Sequence, residues 1–135
     1  MQPVDRTRQR LIDLRNGLLK LHKALLDSER DAYDHNIRRI TSASQLLDLV
    51  LNDPWFAWLR ELSQLIVLID ETLDWREPAT RIEADKLIAR ARELLMPAEN
   101  GAGFAKSYFE AMQRDPAVVV AHGEMMKVFL KVADG

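Results

Sequence analysis

Two dipeptides, Asp53-Pro54 and Asp115-Pro116, constrain this chain more than any other feature. An aspartate accepts a hydrogen bond well at a helix N-cap. Proline at the next position presets φ and lacks only an amide that would go unpaired anyway. Each dipeptide therefore marks a helix start, and the remaining punctuation agrees. Only 5 glycines and 5 prolines occur in 135 residues, most of them where helices would begin or end. Asp5 or Thr7 is expected to cap a first helix running to about Tyr33, with Asp34-His35-Asn36 as its exit. Ser42 and Gln45 form a capping box for a short helix, Ala43–Asn52, and Thr80 and Glu83 form another for a helix reaching Met96. The helix opened at Asp53-Pro54 should run through Trp75. After a loop at 97–103, a short helix Phe104–Arg114 precedes a terminal one from Asp115-Pro116 to about Val132.

No strand-like alternation, internal repeat or low-complexity segment interrupts this pattern. The expected fold is all-α: a compact helical bundle of four long helices plus two short connecting helices. It forms one domain over residues 1–135, because a second folding unit would leave neither half much core. Hydrophobic residues at 47% and charged residues at 30% match an ordinary folded soluble chain. The net charge of −2 supplies no basic field for nucleic acid. The absence of cysteine removes disulfides, thiolate nucleophiles and Cys-ligated metals. The longest aliphatic run, Leu65–Ile69, is far too short to span a bilayer, and the charged N-terminus has no apolar signal core. A cytoplasmic protein without membrane contact is the expectation.

Motifs of catalysis are missing. Gly101 and Gly103 lack the Lys-Ser/Thr and the preceding strand of a phosphate loop, and no H-E-x-x-H occurs. His22, His35 and His122 are scattered, and no Glu precedes a His by three residues as di-iron bundles require. His35 lies in a polar stretch and should simply be solvated.

The unusual feature lies in the first helix. Its apolar residues, from Leu11 and Ile12 to Leu25 and Leu26, cover about half the helix circumference. Arg15, His22 and Glu29 recur every seven residues along the middle of that arc, with mostly leucine three and four positions away. Burying such groups unpaired costs several kcal/mol each, on the order of 3–5 for a charge that has lost its partner. The third helix offers Ser63 and Asp70, also seven apart. The terminal helix offers His122, framed by Val118, Val119, Met125 and Met126. Antiparallel packing of the first helix on the third would bring Arg15 or His22 opposite Asp70, forming one connected buried polar cluster.

That cluster has two readings: a network that fixes helix register, or a ligand site walled by Trp55, Phe56 and Trp58. A haem held between His22 and His122, with Met125 or Met126 as an alternative ligand, is the one cofactor arrangement the residues suggest. No metal site and no catalytic residue is assigned, so the chain reads as a non-enzyme acting through self-association or protein binding. Small-molecule or cofactor binding by the polar ladder is the alternative. Leu68 and Trp75, seven apart and away from the main stripe of the third helix, mark the expected contact of a two-fold homodimer.

Overall fold

The first helix organises everything else. In the computed structural model, which describes residues 3–133, it is already under way at Pro3 and runs to Asn36 (α1). Its 34 residues span about 50 Å at ~1.5 Å per residue. Asp5 lies within the first turn and Thr7 is buried inside the helix, so neither is the N-cap that the sequence suggested. Leu11, Leu14, Leu18, Leu21 and Leu25 are all sealed from solvent. Around α1 pack α3 (Arg60–Leu73), α4 (Arg81–Leu94), α5 (Phe104–Arg114) and α6 (Pro116–Val132). The short α2 (Ala43–Asn52) instead rests on the six-residue segment after it. The chain is 81% helical, with no strand among the described residues. No helix among them is long and apolar enough to cross a membrane.

Local chemistry explains the boundaries. Ser42 Oγ accepts from Gln45 N at 3.1 Å, while the Gln45 side chain reaches past it to Thr41 N at 2.9 Å. Thr80 and Glu83 form the full reciprocal box, and both its hydrogen bonds pull the Glu83 carboxyl below its ordinary pKa. Asp53 and Asp115 cap as expected, accepting from Trp55 N and Ala117 N. Beyond Asp53 the helix type departs from the expectation. Pro54–Leu59 is a 3-10 helix, and the α-helical part begins only at Arg60 and stops at Leu73, short of Trp75. A 3-10 turn places residues three apart in line, and Phe56 and Leu59 are the two buried side chains of this segment. α4 likewise ends at Leu94, before Met96.

Both long neighbours run antiparallel to α1. On one flank Arg15 meets Asp70 and His22 meets Ser63, so α3 descends as α1 ascends. On the other, Arg10 meets Val132 and Asp13 meets Lys131, placing α6 antiparallel as well. Gly17 lies at the α1–α6 contact. A Cβ built there would sit 3.0 Å from Met125 Sδ and 3.1 Å from a Val128 methyl, closer than side chains normally tolerate. Glycine inside a helix costs about 0.8–1 kcal/mol relative to alanine, and here it lets two helices approach. Gly123, on α6, has nothing within 4 Å of that position. Gly17→Leu should therefore lower stability by about 1–3 kcal/mol through overpacking, whereas Gly123→Ala should raise it by up to ~1 kcal/mol. Urea unfolding of the two variants checks this, and a Gly17→Leu midpoint equal to that of the parent chain would refute the close-approach account.

Candidate functional site

The polar ladder of α1 is real in space but divided. Arg15 Nη1 donates to Asp70 Oδ1 at 3.2 Å, and His22 Nε2 lies 2.9 Å from Ser63 Oγ, two turns along. Both contacts follow from seven-residue spacing on two antiparallel helices. Glu29, two turns further, has no counterpart on α3, because the chain has passed there into the 3-10 segment. It is held instead by Arg114 at the end of α5, which donates to Glu29 Oε1 at 2.9 Å and to Ser28 Oγ at 3.0 Å. The result is three separate pairs rather than one connected cluster. They also differ in burial. The Arg15 and Asp70 side chains remain 29% and 49% exposed, while that of Glu29 is 7% exposed.

The His22–Ser63 pair has the separation of a base and a nucleophile, yet its surroundings do not support that chemistry. Ser63 Oγ also donates to the Leu59 carbonyl at 3.3 Å, the back-bond of a serine within a helix. With the hydroxyl donating to Leu59 O, it is His22 Nε2–H that donates to Ser63 Oγ. In that tautomer the imidazole does not accept the serine proton. Ser63 also stands mid-helix, with its own backbone committed to the helical ladder and offering no free amide to a developing oxyanion.

His122 sits elsewhere. Its Nδ1 is 2.6 Å from the hydroxyl of Tyr108 on α5, a residue with no exposed surface. Burial drives the Tyr108 pKa far up, so the phenol keeps its proton; where it donates that proton to Nδ1, neutral His122 carries its own on Nε2. Burial also lowers the pKa of both His122 and His22. The two histidines are thus engaged by different helices, His22 by α3 and His122 by α5, through one ring nitrogen each. Met125 is sealed in the core against Gly17. Among the described residues, no three His, Asp or Glu side chains converge as metal ligands.

The aromatic residues pack on the core, with Trp55 and Trp58 half-buried against it. Phe56 is buried, and Tyr33 packs edge-on against Trp55, whose indole N–H donates to the Glu29 carbonyl at 3.3 Å. Trp58, Phe104, Tyr108 and His122 continue as a chain of ring contacts between 5.2 and 5.6 Å from the 3-10 segment to α6. Leu68 is half-buried, and Trp75 lies beyond the end of α3, over a recess of about 230 Å³ beside Arg8 and Pro78. The two do not share a helical face.

Several structural residues escaped the sequence reading. Arg10 is the most buried cation. Its Nε donates to Val132 O and its Nη2 to Asp85 Oδ1, while Nη1 is buried without a partner among the described residues. Arg114 and Tyr108 were equally unforeseen. So was the outer face of α6, where Val119, Val120 and Leu130 stand 47%, 65% and 76% exposed. Beside them a groove of about 420 Å³ runs between α1 and α6, floored by Gly17 and Met125 and edged by Ala117 and Val120. Asp13, Lys20, Glu124 and Lys131 lie along it, and Asp13 and Lys131 bridge it at 3.4 Å.

Comparison of the chain with protein-family models, curated proteins and solved structures finds no match.

The burial differences set an order of importance among the pairs. Arg114→Ala strands a buried carboxylate and should cost about 3 kcal/mol, at the low end for a broken buried pair because Arg114 itself is partly exposed. Asp70→Ala removes a half-exposed pair and should cost no more than about 1 kcal/mol. Equal losses in urea unfolding would contradict this order. The lowered histidine pKa values have a definite sign. The unfolded chain takes up protons near pH 6.5 before the folded one does, so stability is full above 6.5 and declines as pH falls through that value. His22→Gln combined with His122→Gln should flatten that decline. An unchanged pH profile in the double variant would count against it.

Proposed function

We propose that this bundle is a non-catalytic association module that docks another polypeptide on the outer face of α6. The observation that carries this reading is the distribution of apolar surface on that helix. Val118, Met125, Phe129 and Val132 face the core, yet Val119, Val120 and Leu130 on its other sides are open to solvent. A helix apolar on both faces in a single chain has one face too many for that chain alone. The adjoining groove adds concave surface where a partner's side chains can settle.

The residues able to do chemistry support the same reading. His22, Ser63, Asp70, Glu29 and His122 are each bonded to a neighbouring helix, and none lines the recesses beside Gly17 or Trp75. Bonds to neighbouring helices account for the polar groups of the ladder, which supports a positioning role for them. Exposed Leu47 and Leu51 on α2 are a second apolar feature, without a comparable groove.

The test is photo-crosslinking in living cells. A photoreactive residue at position 120 or 130 should yield adducts with another polypeptide, while one at exposed Lys86 on α4 should not. Yields from positions 120 and 130 no higher than from 86 would overturn the proposal.

A further inference from the structure

We propose that the polypeptide received by α6 is a second copy of this chain, paired α6 to α6 in antiparallel fashion about a two-fold axis that crosses the outer side of the helix at the level of residue 125. This rests on the reading of α6 as an association surface and goes beyond it by naming the partner and the register. The outer side of α6 presents, turn by turn, Val120, Gly123, Lys127 and Leu130. An antiparallel mate centred near residue 125 places Val120 of each copy opposite Leu130 of the other, so the two most exposed apolar residues of α6 are covered in both copies. The same register sets Gly123 of each copy opposite Lys127 of the other.

Charge and space both favour this arrangement. Within one chain Glu124 and Lys127 stand 4.0 Å apart and are mostly exposed, a weak pair that is easily exchanged. Across the two-fold, the Lys127 stem lies over Gly123 of the second copy and its ammonium reaches that copy's Glu124, so the exchange is made twice. A parallel pairing would instead set Lys127 against Lys127 and Lys131 against Lys131, and like charges facing each other are penalised. Gly123 has no role inside its own chain, since a Cβ there meets nothing within 4 Å. Glycine is costly in a helix interior, and its use here fits a site where another helix must come close. An isologous contact of this kind closes on itself, stopping at two copies.

The experiment uses the purified full chain. Because the sequence contains no cysteine, any disulfide must come from residues placed there. Val120→Cys combined with Leu130→Cys should oxidise to a covalent dimer. Either substitution alone should not, because its two copies would lie about 15 Å apart along the helices at ~1.5 Å per residue. Sedimentation of the parent chain should show a species of twice 15.5 kDa at micromolar concentrations. Gly123→Gln should keep its helix content while weakening the dimer at least tenfold. Lys127→Glu should weaken it similarly, and adding Glu124→Lys should restore it. A monomeric parent chain, together with no covalent dimer from the Val120→Cys, Leu130→Cys variant, overturns the second-copy assignment, while photo-crosslinks from positions 120 and 130 to a different protein would leave the association reading standing. A dimer indifferent to Gly123→Gln and closed by no 120–130 disulfide also overturns it, placing the contact elsewhere, for example on α2.

Discussion

A helix enclosed by other helices must find a partner for every polar group it carries, and the structure depends on α1 meeting that demand. Its apolar side chains fill the centre, but Arg10, Arg15, His22, Ser28 and Glu29 leave the same surface. Their counterparts come from four other helices. Asp85 lies on α4, Asp70 and Ser63 on α3, Arg114 on α5 and the Val132 carbonyl on α6. Leucine packing alone would tolerate a slide of one helix along another. Directional bonds at fixed heights do not, so these pairs define register where the apolar core defines proximity.

Arginine also serves a second purpose in this chain. The carbonyls at a helix C-terminus lack intrahelical donors and carry the negative end of the helix dipole. Arg8 donates to Leu73 O at the end of α3, Arg60 to Leu51 O near the end of α2, and Arg10 and Arg92 to Val132 O and Phe129 O near the end of α6. In each case the donor comes from another segment, so closing a helix and joining two elements are the same contact. Arg92 adds its guanidinium over the Phe129 ring at 5.3 Å, shielding a core aromatic that would otherwise meet solvent.

Much of this was legible in the sequence because it is local. The Asp-Pro starts, the box at Thr80 and the short helices 43–52 and 104–114 depend on residues within a few positions of one another. The facing of Arg15 and His22 toward α3 was legible for a related reason, since a seven-residue spacing keeps side chains on one face. Features that depend on the third dimension could not be read this way. The 3-10 geometry after Asp53 aligns Phe56 with Leu59 against a core assembled elsewhere. The failure of Glu29 to join the ladder comes from that same change of helix type. Arg10 lies on the α6 side of α1, outside the heptad series that drew attention to Arg15. The one local sign of that side was Gly17, a glycine seven residues on in the middle of a long helix.

The division between α1 and α6 bears on how such a protein evolves a role. On α1 nearly every polar side chain facing inward is committed to holding a neighbour, so a change there lowers stability before it can alter function. α6 supplies the core from one side with Val118, Met125, Phe129 and Val132, and those four positions satisfy the fold. Nothing among the described contacts requires its outer side to be valine, glycine or leucine, and lysine or glutamate at positions 120 and 130 would be the less aggregation-prone choice. Apolar residues at positions free to be polar, beside a glycine that no internal contact demands, disadvantage the isolated chain. The partner proposed for that face would give them a physical reason.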